Sequence, residues 1–247
     1  MYSSIQNLTR TMIGEDYDSM AYDRIGRIRS TPGYLNNGCI FSNYGNKASR
    51  YVFEEIYFLF KTLQNERIIL WSSSLKPEYC SLYDNDQAVF TMQDIPCITN
   101  DEKLIIVLSP RQTDTKHALF HSLMLELMKI NRQQAKTRTY LYIDNVDSLI
   151  GDADKDILHN PVSDLLEILR HTRRKNIVLT GVMNLPMMNE NYCYDFLKRN
   201  AAYLLVAGGV SIYDSYDLSR LTGESAQSIY SIASYNCMTL LRAEPQI

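Results

Sequence analysis

The sequence predicts an α/β fold built on a mostly parallel, twisted sheet with helices on both faces. Three observations carry that expectation. Short apolar runs of four or five residues, rich in β-branched and aromatic side chains, recur along the chain; such runs are what parallel strands buried on both faces require. Segments with apolar residues at helical spacing separate most of these runs, which is the alternation that βαβ units produce. The length of 247 residues, with 45% hydrophobic and 21% charged side chains, suits one large core and argues against disorder or coiled coil.

Residues 1–35, rich in Asp, Arg, Ser and Tyr, show no sustained period and end in the turn signal Thr31-Pro32-Gly33. They read as a lead-in segment, with the domain spanning residues 36–247. Its first strand is Cys39-Ile40-Phe41. A polar stretch follows, Ser42-Asn43-Tyr44-Gly45-Asn46-Lys47-Ala48-Ser49, and then Val52, Ile56, Leu59, Phe60 and Leu63 at helical spacing. Further strands are expected at Ile68-Ile69-Leu70-Trp71, Leu104-Ile105-Ile106-Val107-Leu108, Tyr140-Leu141-Tyr142-Ile143, Ile177-Val178-Leu179-Thr180, Tyr203-Leu204-Leu205-Val206 and Met238-Thr239-Leu240-Leu241. Residues 117–130 carry an apolar stripe of Leu119, Phe120, Leu123, Leu127 and Ile130. Residues 161–171 open on Pro161, a residue favoured at a helix start. In such a sheet, ligands bind beyond the carboxyl ends of the strands, which places the loops after Phe41, Trp71, Ile143 and Thr180 on one rim.

Composition narrows the function. A net charge of -3 provides no global attraction for nucleic acid phosphates, so a nucleic acid partner is not indicated. No apolar run approaches the roughly 20 residues that span a bilayer, and the N-terminus lacks the apolar stretch of a signal peptide, so the reading is cytoplasmic. Cys39, Cys80, Cys97, Cys193 and Cys237 are odd in number and widely spaced, which favours reduced thiols over disulfides or a zinc site.

On the expected rim, the polar stretch has part of the chemistry of a phosphate-binding loop. Such a loop needs glycines for close backbone approach, a Lys for the outer phosphates and a hydroxyl for Mg²⁺. With Lys47 in the Lys position, Phe41 and Asn46 stand where glycines belong and Ala48 where the hydroxyl belongs. Gly45 and Ser49 lie one place out of register. A strand, turn and helix with a solvated Lys fits the same residues. The second element is Asp144-Asn145 after an apolar run, where an Asp either serves the Mg²⁺ shell or caps a helix. Asn145 cannot accept a proton as a general base does. The third is the cluster Arg173-Arg174-Lys175 ahead of the run at 177–180, either a favourable charge at a helix C-terminus or an arginine offered to a neighbouring subunit's phosphate.

The order of these pieces over residues 35–245 resembles the motor ATPases of type IV secretion and conjugation, the VirB-four or TraE/TraC class of the HerA–FtsK superfamily, without that family's N-terminal half. The resemblance rests on Lys76-Pro77-Glu78-Tyr79-Cys80-Ser81-Leu82 after the second strand, Asp144-Asn145, Arg173-Arg174-Lys175-Asn176, Thr180-Gly181-Val182-Met183-Asn184 and residues 214–222. It implies a RecA-like P-loop NTPase domain that takes ATP and Mg²⁺ through Gly45, Asn46, Lys47, Ala48 and Ser49. Asp144 would be the metal residue, and Asp144, Asn145 and Arg174 would occupy the catalytic positions. It also implies a ring of like subunits, other secretion or conjugation subunits as partners, and a place at the cytoplasmic face of the inner membrane. The departures fall on Gly, Ser/Thr, Glu and Gln, the residues that touch phosphate, metal and water. The expectation is therefore a pseudo-ATPase with a docking or regulatory role. The alternatives are an active ATP-hydrolysing motor and a degenerate FtsK-like ATPase domain of type VII secretion, which Asp144-Asn145-Val146-Asp147 also echoes.

Overall fold

The computed structural model describes residues 37–42, 48–49, 52–53, 55–57, 59, 66–72, 79, 88–90, 104–108, 113–133, 138–150, 161, 163–165, 167, 177–183, 203–207, 210–231 and 237–241. Within them the chain forms β1 (Gly38–Ser42), β2 (Arg67–Ser72), β3 (Ala88–Phe90), β4 (Leu104–Leu108), α1 (Thr113–Gln133), β5 (Thr139–Asp144) and α2 (Val146–Ile150). There follow β6 (Ile177–Met183), β7 (Tyr203–Ala207), α3 (Ile212–Thr222), α4 (Ala226–Tyr230) and β8 (Cys237–Leu241). The described residues among 48–59 and 161–167 are helical. The lead-in segment, residues 43–47 and the cluster at 173–175 lie outside the described residues.

The strands make one eight-stranded sheet in the order β3-β4-β2-β5-β6-β1-β7-β8. Every neighbouring pair is parallel except β7 with β8, which is antiparallel. This is the α/β architecture with a mostly parallel sheet that the sequence predicts. Every residue of β2, β5 and β6 is buried, as expected of central parallel strands covered on both sides, and this is why they read as unbroken apolar runs.

The sequence pattern and the observed strands differ in two places. β3 is three residues long and went unforeseen, because so short a segment has too little pattern to register. β6 continues past Thr180 to Met183, since Gly181 and Val182 keep the ladder with Cys39 and Ile40 of β1.

The core brings Leu119, Phe120, Leu123, Met124 and Leu127 of α1 together with Ile69, Trp71, Leu141, Ile143 and Leu179 of the sheet. Trp71 meets Phe120 edge to face, with ring centroids 5.0 Å apart, a geometry that the aromatic quadrupole favours. Each fully buried side chain of this size contributes about 1.5–3 kcal/mol. α1 is also tied to the short helix that follows β5. Lys116 Nζ donates to the carbonyl of Ser148, and His117 Nε2 to that of Leu149 at 3.1 Å. These donors satisfy carbonyls at the end of α2, where helical partners run out.

Candidate nucleotide site at the ends of β1, β2 and β5

The parallel register aligns the carboxyl ends of the central strands. Trp71 pairs with Ile143 and Ser72 with Asp144, so the last residues of β2 and β5 stand side by side. Each is the first polar residue after an apolar run, because the strand ends where its side chains leave the core. Of the rim expected after Phe41, Trp71, Ile143 and Thr180, the first three stand at one edge of the sheet, where β1 enters through its pairing with β6. Thr180 instead lies inside β6, which runs on to Met183 opposite Phe41.

Asp144 is 1% exposed and is surrounded by hydroxyls. Tyr79 Oη donates to its Oδ2 at 2.8 Å and Ser72 Oγ to the same oxygen at 3.3 Å. Ser49 Oγ lies 3.5 Å from Oδ1. Ser49 and the stretch that carries Ser72 and Tyr79, both distant in sequence from β5, therefore converge on one carboxylate. A buried carboxylate is costly unless it accepts hydrogen bonds, and these donors offset that cost.

The phosphate-loop residues Gly45, Asn46 and Lys47 lie outside the described residues, as does Arg174. Ala48 and Ser49 are both helical and fully buried. The hydroxyl that reaches Asp144 belongs to Ser49, one position beyond the place where the sequence register set Ala48. Successive residues of a helix point about 100° apart, so only one of the two can face the end of β5.

Asn145 has φ 80°, a left-handed conformation, and its Oδ1 accepts the backbone N–H of Ser148 at 2.9 Å. It is the N-cap of α2. The helix-capping role weighed for Asp144 thus falls on Asn145. Met183, within the segment 180–184 on which the resemblance rests, is 1% exposed and packed in the core.

Sequence reasoning missed Ser72 and the bond that Tyr79 makes. A signal for both existed: Ser72 ends β2 as Asp144 ends β5, and Tyr79 lies within residues 76–82, one of the segments on which the resemblance rests.

The oxygen donors around Asp144 fit a hard divalent cation. A carboxylate and a hydroxyl are ligands that Mg²⁺ accepts, and Asp144 and Ser49 bring one of each to the carboxyl edge of the sheet. Asp144 and Ser49 are the residues that would hold it.

A comparison with protein-family models and with curated proteins finds no match. Solved structures do match. The genome packaging NTPase B204 of Sulfolobus turreted icosahedral virus 2, in complex with AMP, superposes with a TM-score of 0.58 at 14% identity, covering 85% of this chain and 94% of its own. VirB4 of Thermoanaerobacter pseudethanolicus gives 0.57 at 11% identity, covering 85% and 90%. The pCW3 conjugation coupling protein TcpA, with ATPγS, gives 0.50 at 12% identity, covering 84% of this chain and 58% of its own. The chain therefore has the RecA-like fold that these ATPases share. Among the described residues, no helix is long and apolar enough to cross a membrane.

Proposed function

We propose that this chain is a P-loop ATPase-type domain of a secretion or conjugation machine that binds Mg²⁺ and nucleotide but hydrolyses little, and that acts as a docking or regulatory subunit at the cytoplasmic face of the membrane. The observation that carries the reading is the pair Asp144 and Asn145. The first keeps a buried carboxylate among hydroxyls at the strand end, and the second is an amide committed to capping α2.

Asp144 and Ser49 would hold the cation, and Lys47 would add charge attraction for the phosphates. Bound there, Mg²⁺ supplies charge neutralisation on the outer phosphates. The step after binding is where the chain falls short. An attacking water needs a group to accept its proton, and the Asn145 amide has no such capacity. Losing one catalytic group commonly removes several kcal/mol of transition-state stabilisation, on the order of 3 for a single donor.

One observation favours a second reading, the active motor: the Ser49 hydroxyl stands beside Asp144, so the loss inferred at Ala48 does not empty the site of hydroxyls. Under that reading, the likeness to a packaging NTPase and to conjugation proteins makes a polymer the cargo. A titration with ATP, with and without Mg²⁺, combined with phosphate release, separates the readings. Binding without turnover supports the first. Robust turnover that disappears in Lys47→Ala supports the motor, and absence of binding overturns both.

A further inference from the structure

Two hydroxyls converge on one oxygen of Asp144: Tyr79 Oη at 2.8 Å and Ser72 Oγ at 3.3 Å both donate to Oδ2, and Ser49 Oγ lies 3.5 Å from Oδ1. Tyr79 is fully buried and comes from the chain between β2 and β3, apart from both the phosphate loop and β5.

We propose that Tyr79 is a positioning residue for a divalent cation that arrives with a nucleoside triphosphate, an inference that rests on the nucleotide-binding reading above. The last torsion of an Asp side chain is soft, so an unrestrained carboxylate turns readily. With Oδ2 clamped by the phenol and the Ser72 hydroxyl, the carboxylate presents Oδ1 toward Ser49 in a fixed orientation. The ordering is completed during folding and is not charged to binding. Donors behind a ligating group of this kind typically change metal affinity roughly tenfold or more when removed. The Tyr79 segment, one of those on which the resemblance to the secretion and conjugation motors rests, thereby acquires a chemical task at the site. The phenol acts through Asp144 and touches no phosphate itself.

The opposite possibility is that the phenol competes with the cation for Asp144, and the two make opposed demands on one variant. Tyr79→Phe keeps the ring and removes the hydroxyl. Calorimetric titration of the full chain with AMPPCP, once with Mn²⁺ and once with EDTA, is combined with Mn²⁺ paramagnetic resonance to count bound metal. The expected result is a roughly tenfold weaker affinity in Mn²⁺ with the EDTA affinity unchanged. Tighter binding in Mn²⁺, no change, or an equal loss in both media overturns the proposal, the last because it marks general damage. Ser72→Ala removes the companion donor and is expected to weaken Mn²⁺-dependent binding by a smaller factor. If Tyr79→Phe does not fold, an unchanged Mn²⁺-dependent affinity in Ser72→Ala overturns the clamp. A wild-type chain that binds neither Mn²⁺ nor AMPPCP shows that the nucleotide reading itself has failed, and it does so before any substitution is made.

Discussion

Asn145 converts the end of β5 into the start of α2: its Oδ1 accepts the Ser148 backbone N–H at 2.9 Å while its own backbone sits at φ 80°. Few residues satisfy both demands. Asn tolerates the left-handed region and is among the best N-caps. A Glu there would keep neither advantage.

The first prediction follows from those two roles. Asn145→Ala loses the cap, about 1 kcal/mol, and retains the left-handed backbone that costs a residue with Cβ about 1–2 kcal/mol. Asn145→Gly relieves the backbone and costs only a few tenths at the cap. Urea unfolding of the two variants is expected to rank Gly well above Ala, and equal stabilities would show that the cap and the φ value carry no weight.

Steady-state Mg-ATP hydrolysis is expected to be negligible, and Asn145→Glu is not expected to bring it to a robust rate. The new carboxylate would stand on a backbone that disfavours it and would surrender the Ser148 contact. Phosphate release by the wild type and by this variant provides the check. A large gain in the variant would show that a base was all the site lacked.

Trp71 offers a reporter. It is the only tryptophan of the chain, is 1% exposed and precedes Ser72, whose hydroxyl meets Asp144. Nucleotide with Mg²⁺ is expected to change its fluorescence, and Asp144→Asn to remove the Mg²⁺-dependent part of that change. Lys47→Ala is expected to weaken nucleotide binding, since its charge is the strongest phosphate attraction in the loop. An unchanged affinity in that variant would place the nucleotide elsewhere.

Gly181 of β6 lies against the first residue of α2. A Cβ built there would stand 2.9 Å from Val146 Cγ2, closer than such atoms approach. Gly181→Ala is expected to cost about 1–3 kcal/mol, the usual range for overpacking, by pushing α2 off the sheet. Adding Val146→Ala is expected to recover part of that loss. Strict additivity in the double-mutant cycle would rule out the contact as the cause.

Assembly provides the fifth prediction. With hydrolysis impaired, Arg173 and Arg174 are expected to serve a protein contact or none, so ATP and Mg²⁺ leave the sedimentation of the chain unchanged. A nucleotide-dependent shift to a ring, abolished by Arg174→Ala, would restore the motor reading.

Seven of the eight strands were legible as short apolar runs, β2, β5 and β6 most plainly, because central parallel strands are buried on both faces and must be written as unbroken apolar runs. The helix at 113–133 was legible through its stripe of Leu119, Phe120, Leu123 and Leu127. Asp144 stood out for the same reason, as a charge placed where such a run stops. The sequence by itself thus determined the α/β class and the strand end that bears the carboxylate. Only the tertiary structure decided the strand order, the antiparallel edge at β8, and the partners of Asp144. Strand order depends on which runs pair across long separations, and local periodicity does not encode it. Ser49, Ser72 and Tyr79 lie 95, 72 and 65 positions from Asp144. The choice of Ser49 over Ala48 is a matter of helix rotation about its axis, set by packing against the sheet, and the left-handed turn at Asn145 arises where β5 must give way at once to α2.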